Sequence, residues 1–255
     1  MTDNANVAIL TGAGSGVGAE TLRLLRGQGT SVVAVDVAWP GAPVDDEGCI
    51  TMTGDISDAG TWQTALEACR DSFGDPPDRL VLNAARLVVG TILELNEQDL
   101  RSVLDVNVVG AFLGMKACLP AMVARGGGTI VTVGSTASLL AEQGLAAYCA
   151  SKGALLQLTR CVAVDHARDG IRANCVCPAA IDTPFFRRHV DAAPDPAAFL
   201  AKKQARHPSG RILQPADVAR VIAFLLSDAS LGMNGAAVTV DGGLLASFDF
   251  EVAEP

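Results

Sequence analysis

The stretch AAYCASKGA, residues 146–154, holds the only tyrosine among 255 residues, and a lysine follows four positions later. On a helix, positions i and i+4 lie one above the other, so Tyr148 and Lys152 would be neighbours. A free phenol titrates near ~10 and is almost wholly protonated at neutral pH. A nearby ammonium favours the phenolate and draws that value down. The pair therefore predicts a proton-transfer device working near neutral pH. Ser135 ends a β-branched run, where its hydroxyl could hydrogen-bond the oxygen of a reacting group. Taken alone, Y-x-x-x-K better fits a surface tyrosine beside a solvated lysine, so its surroundings have to decide.

A second candidate lies near the start of the chain. The apolar run NVAILT (6–11) leads into T-G-A-G-S-G-V-G (11–18), and the helical AETLRLLRGQG follows. Glycines permit a tight turn and close approach of backbone to a ligand, and a helix N-terminus offers amides and the positive end of its dipole to a phosphate. Gly12, Gly16 and Gly18 are spaced G-x-x-x-G-x-G, not the G-x-G-x-x-G of the standard dinucleotide fingerprint. A glycine loop between strand and helix nonetheless predicts a phosphate site. Asp36 ends the next apolar run, near the ~20-residue offset at which a carboxylate grips a ribose 2′-hydroxyl. Asp55, ending a weaker run, could hold an adenine amino group. Either carboxylate is otherwise an ordinary strand-ending residue.

The elements that would position these side chains alternate along the chain. Runs at 6–11, 30–36, 79–84, 128–135, 171–177 and 236–242 read as buried parallel strands, with a weaker seventh around 48–55. Helical patterns lie near 17–28, 61–73, 98–124, 147–168 and 215–228. Such alternation without a long linker or repeat predicts an α/β fold: one Rossmann-like domain over 1–255, with a doubly wound parallel sheet of about seven strands and helices on both faces. The Pro- and charge-rich segment 183–211 is the one long irregular stretch in this reading, and so the candidate substrate loop or lid.

Composition narrows the partners. Hydrophobic residues make up 49% and charged residues 18%, as in a well-packed globular chain, and the net charge of −9 disfavours nucleic acid and anionic membranes. No apolar run reaches the ~18 residues of a membrane span, and the N-terminal residues do not read as a signal peptide. Seven cysteines, an odd number set mostly in apolar stretches, read as buried free thiols and predict a reducing, cytoplasmic home. Cys175 and Cys177 form C-x-C, and none of the three histidines stands in a metal-ligand pattern, so no metal is expected.

Together these pieces resemble the classical short-chain dehydrogenases/reductases, over about residues 6 to 245. The matching motifs are the glycine loop at 11–18, D-I at 55–56, N-A-A at 83–85, Asn107 inside a helix, Ser135, Y-x-x-x-K at 148–152 and P-A-A-I-D-T at 178–183. D-V-A at 217–219 and V-D-G-G at 240–243 extend the match. The resemblance implies that Tyr148 is the general acid/base, that Lys152 lowers its pKa and holds the nicotinamide ribose, that Ser135 polarises the substrate oxygen, and that Asn107 keeps a water relay near Lys152. It implies a cofactor wall made by Gly12, Ser15, Gly16, Val17, Gly18, Ile56, Asn83, Ala84, Pro178, Ile181 and Thr183. With Asp36 at the ribose, the expected cofactor is NAD, and the expected substrate is a small secondary alcohol or ketone. The family also implies a homotetramer built on the helices at 98–124 and 147–168. Two departures stand out: Ala85 and Ala179 replace glycines usual in the family, which narrows the pocket wall.

Two other readings remain open at this level. Sugar-nucleotide epimerases and dehydratases also use Y-x-x-x-K on this fold, although the short length and the glycine spacing count against them. A non-catalytic nucleotide-sensing regulator would have no use for an intact Ser, Tyr, Lys and Asn set. At the substrate end, Phe185, Phe186, Arg187, Arg188, His189, Lys202, Lys203, Arg206, His207 and Arg211, with Arg86, form either a basic mouth for an anionic substrate or a solvated amphipathic helix.

Overall fold

A computed structural model describes residues 6–41 and 46–246. The chain runs β1 (Val7–Thr11), α1 (Gly16–Gly27), β2 (Ser31–Asp36), β3 (Cys49–Thr53), α2 (Ala59–Phe73), β4 (Arg79–Leu82), α3 (Glu97–Leu104) and α4 (Ala111–Arg125). It continues with β5 (Gly128–Val133), α5 (Ala146–Asp165), β6 (Ile171–Pro178), α6 (Pro184–Asp191), α7 (Pro196–Ala205), α8 (Pro215–Leu226) and β7 (Ala237–Val240). The strands form one sheet in the order β3-β2-β1-β4-β5-β6-β7, parallel throughout. The Rossmann-like α/β architecture, with helices on both faces, is the one the sequence predicts.

The strands are continuous apolar runs because both faces are covered. Side chains alternate across a strand, so Val7 and Ile9 pack with Trp62 of α2, Met115 of α4 and Leu155 of α5 on one face. Ala8 and Leu10 pack with Leu25 of α1 and with Ile222 and Leu225 of α8 on the other. Each large aliphatic side chain buried this way contributes about 1.5–3 kcal/mol. Caps fix where the helices begin and end. Asp58 accepts from the Gly60 amide at the start of α2, and Gly74 ends that helix at φ 76°. Asn96 and Asp99 form a reciprocal capping box on α3.

The expected helix at 98–124 is present but not uniform. Between α3 and α4, Asp105–Gly110 winds as a π-helix, so the helical run from Glu97 to Arg125 carries one wide turn. By length and composition that run, with an 18-residue window of mean hydropathy 1.6, could cross a bilayer, although it holds no unbroken apolar stretch of membrane length. Within this fold Val103, Ala111, Met115, Cys118 and Met122 face the core. The segment 183–211 differs from expectation: it is not irregular but holds α6 and α7. Pro184 and Pro196 sit at the first helical positions after the caps Thr183 and Asp195, where a missing N–H costs nothing.

Candidate active site

In a sheet of this order, the chain leaves β1 toward β2 on one side and crosses back from β3 to β4 on the other, and the crevice at the carboxyl ends of β1 and β4 is where such folds bind ligands. A cleft of about 1390 Å³ opens there, lined from Gly12 to Leu245. It exceeds the ~300–1,000 Å³ of a typical small-molecule site.

The glycine loop leaves β1 at Thr11 and enters α1 at Gly16. Gly12 and Gly16 hold φ values of 66° and 54°, which only glycine adopts without strain. A Cβ on Gly18 would sit 1.9 Å from the Gly12 carbonyl oxygen, so this residue lets α1 pack under the loop rather than touching a ligand. The first turn of α1 carries no acidic side chain, and Ser15 makes no cap bond, which leaves the N-terminal amides free for an anion. Gly12, Ser15, Gly16 and Val17 line the cleft, whereas Gly18 does not.

Asp36 stands at the end of β2 on the cleft wall. Its carboxylate accepts from the Gly14 amide at 2.8 Å and the Ala38 amide at 3.2 Å, so it also pins the glycine loop. Gly14, absent from the sequence-based candidates, is the glycine that makes this approach possible. Asp55 accepts from the amide and hydroxyl of Ser57, and Asp55 and Ile56 both line the cleft. Asn83 Nδ2 donates to the carbonyls of Thr11 and Gly12, each at 3.0 Å, tying the end of β4 to the loop. Ala84, Pro178, Ile181 and Thr183 complete this wall. Neither Ala85 nor Ala179 has a positive φ, so losing the family's glycines costs no backbone strain.

Ser135 lies two residues beyond β5, where its Oγ accepts from the Ala137 amide at 3.1 Å and its amide donates to Ser138 Oγ at 3.1 Å. The Ser135 side chain hydrogen-bonds the Tyr148 phenol. Lys152, one turn further along α5, is 1% exposed. Its Nζ donates to the Val133 carbonyl at 2.7 Å and lies 5.6 Å from the centre of the Tyr148 ring. Asn107 sits in the π-helical turn, buried and off the cleft surface. Its amide bridges the Arg86 backbone in both directions, at 2.7 and 2.9 Å, and donates to Ser151 Oγ at 2.9 Å. That turn aims Asn107 between β4's extension and α5; π-turns are frequent at functional sites.

Burial pushes the Tyr148 phenol up, with the Ser135 hydrogen bond opposing it. The Lys152 ammonium is also displaced, pushed down by burial to about 8. In both groups burial is the largest cause, since removing water disfavours the charged form. Among the described residues no cluster of His, Cys, Asp and Glu could hold a metal. None of the seven cysteines is in a disulfide, and five of them are buried; Cys149 is half-buried and Cys161 exposed.

A parallel nucleotide-binding sheet with a buried Tyr–Lys pair beside a serine hydroxyl defines a class, the oxidoreductases that work on a carbon–oxygen bond. The comparisons agree. A family model described as enoyl-(acyl carrier protein) reductase matches residues 12–245. The chain is 37% identical to 2-(R)-hydroxypropyl-CoM dehydrogenase of Xanthobacter autotrophicus, covering 95% of this chain and 99% of the relative. It is 35% identical to cyclohexanol dehydrogenase of Acinetobacter, covering 94% of each chain. The 3-ketoacyl-(acyl-carrier-protein) reductase of Brucella melitensis, solved with NADH, superposes with a TM-score of 0.83 at 28% identity, covering 94% of this chain and 98% of that one. The chain belongs to the classical short-chain dehydrogenase/reductase family. It is an oxidoreductase of CH–OH groups, exchanging hydride with a nicotinamide cofactor.

Proposed function

We propose that the chain interconverts a small secondary alcohol and its ketone with NAD, using Tyr148 as the proton-handling group. The observation that carries this reading is a lysine 1% exposed, held by a backbone carbonyl under the only tyrosine, in a cleft at the carboxyl ends of the strands. A buried cation without a carboxylate partner is costly and is the mark of a functional site. The fit to a dinucleotide rests on the positive-φ glycines, the uncapped start of α1 and Asp36 on the wall. The nicotinamide, when bound, supplies the hydride acceptor or donor. Lys152 holds its ribose, Ser135 orients the substrate oxygen, and Tyr148 gives or takes the hydroxyl proton. Asn107 acts from behind, fixing Arg86 and Ser151 and supporting a water path toward Lys152.

The choice of NAD over NADP rests on Asp36. NADP carries a phosphate at the ribose 2′ position, with about −1.5 to −2 charges at neutral pH by analogy with phosphorylated side chains. Two like charges ~4 Å apart repel by ~1 kcal/mol in water and ~4 kcal/mol at an effective dielectric of 20. No cation offsets this, since position 15 is serine and position 37 valine. Wild type is expected to favour NAD by ~10²-fold or more in kcat/KM. Asp36→Ala narrows the ratio and, because Asp36 also pins Gly14, weakens NAD itself. Equal kcat/KM for the two cofactors in wild type would overturn the assignment.

A homotetramer in a reducing cytoplasm completes the reading. The outer faces of α4 and α5 expose Phe112, Val123 and Val164, with Val109 in the π-turn, and such apolar surface fits a symmetric interface. Light scattering is expected to read about four times the 26.2 kDa chain mass; a monomer mass at micromolar concentration would refute it.

A further inference from the structure

Charges along the cleft are sorted by sign. Near the glycine loop the wall holds Asp36 and Asp55, whereas the remaining lining carries Arg86, Lys152, Arg188, Lys203 and Arg206 against one carboxylate, Glu142. Lys203 is already ion-paired with Glu142, joining α7 to the loop before α5. Arg86 Nε donates to Ser102 Oγ at 3.1 Å. Along the same 183–211 segment, Arg187 and Arg211 lie outside the cleft lining and are paired with Asp182 and Asp217, each at 2.6 Å. The guanidiniums of Arg188 and Arg206 are different: among the described residues neither forms an ion pair or a hydrogen bond, yet both line the cleft.

A chain with 28 acidic and 19 basic side chains has carboxylates to spare. Two bare guanidiniums in the lining of one cleft instead add positive potential to it. Their forked donors match the paired oxygens of a carboxylate, sulfonate or phosphate. The position relative to the proton-handling group also fits. Phe185, at the start of α6, has its ring 6.4 Å from that of Tyr148. Arg188 stands about one turn, ~5 Å, further along α6. An oxygen at Tyr148 and an oxyanion at Arg188 can therefore belong to one small molecule.

We propose that Arg188 and Arg206 form an oxyanion subsite, so that the substrate is an anionic secondary alcohol whose carbinol lies at Tyr148. This rests on the alcohol dehydrogenase reading above. It makes α6 and α7 a substrate-binding lid and gives the Lys203–Glu142 pair the role of joining that lid to the opposite wall.

The test compares 4-hydroxypentanoate with neutral 2-pentanol as substrates of wild type and of Arg188→Gln/Arg206→Gln. Wild type is expected to favour the carboxylate by ~10-fold or more in kcat/KM, with the advantage shrinking as salt rises, and the double variant to lose most of that ratio. Arg188→Lys/Arg206→Lys, which keeps charge but not the fork, should recover part of it. Calorimetric titration of butanesulfonate, with and without NADH, should show binding to wild type and none to the glutamine variant. Turnover of 2-pentanol equal to that of the carboxylate, with the same ratio in the glutamine variant, would overturn the subsite and leave the dehydrogenase reading standing. Sulfonate binding that depends on the arginines, without oxidation of either alcohol, would keep the subsite and sink the dehydrogenase reading.

Discussion

Tyr148→Phe is expected to lower kcat by ~10²- to 10⁴-fold, the range lost when a positioned acid/base is removed. The ring stays, with its contacts to Ala137, Leu145 and Phe185, so thermal unfolding and NADH binding should remain near wild type. The raised phenol sets the direction of the pH dependence in the parent enzyme. Ketone reduction needs the protonated phenol, already present at neutral pH, whereas alcohol oxidation needs a base. Oxidation should therefore climb as pH rises from neutral, and reduction should not. A variant retaining more than half the wild-type rate would remove Tyr148 from the mechanism.

Lys152→Met should abolish most activity and stabilise the fold at the same time. The ammonium titrates near 8 in the folded chain, against 10.5 when unburied. Below pH 8 it is charged in both states, and folding carries the full cost of burying it, ~3 kcal/mol from a shift of this size. Methionine removes that cost but leaves the Val133 carbonyl without its donor, which returns ~1 kcal/mol. The net gain of about 1–3 kcal/mol should raise Tm by a few degrees at pH 7. Wild type regains this stability as pH rises through 8 toward 10.5, where the lysine is neutral in both states, so the methionine variant's advantage should disappear. A methionine variant that melts lower than wild type at pH 7 would show that Lys152 is not held against its own solvation.

Much of this was legible in residue order. Parallel strands buried on both faces leave unbroken β-branched runs, so β1, β2, β4, β5 and β6 stood out, and even the half-exposed β3 registered weakly. The cofactor wall was readable because its glycines do something only glycine can do. Other features depend on contacts distant in sequence. The π-turn that aims Asn107 leaves no periodic signal in six residues. Gly14 was passed over because its role depends on Asp36, 22 residues away. The Pro-rich segment 183–211 read as irregular, when the caps Thr183 and Asp195 make Pro184 and Pro196 each a helix start. The burial that pushes the Tyr148 phenol up was hidden for the same reason: spacing reveals a neighbouring charge, but not how much water the fold removes from it.

The cleft draws its walls from Gly12 through to Leu245, and this bears on how the protein comes into being on the ribosome. A nascent chain extended to Asp165 already contains the glycine loop, Asn107, Ser135, Tyr148 and Lys152. It lacks β6, the partner of β5 from Gly128 to Val133, and α8, whose Ile222 and Leu225 close over one face of the sheet. At ~5–20 residues per second, that edge and that face stay uncovered for several seconds after the proton-handling side chains have been made. An open parallel edge beside an apolar face is a template for unwanted pairing. The vulnerable interval in the life of this enzyme thus falls between the synthesis of its reactive groups and the arrival of the segment that shelters them.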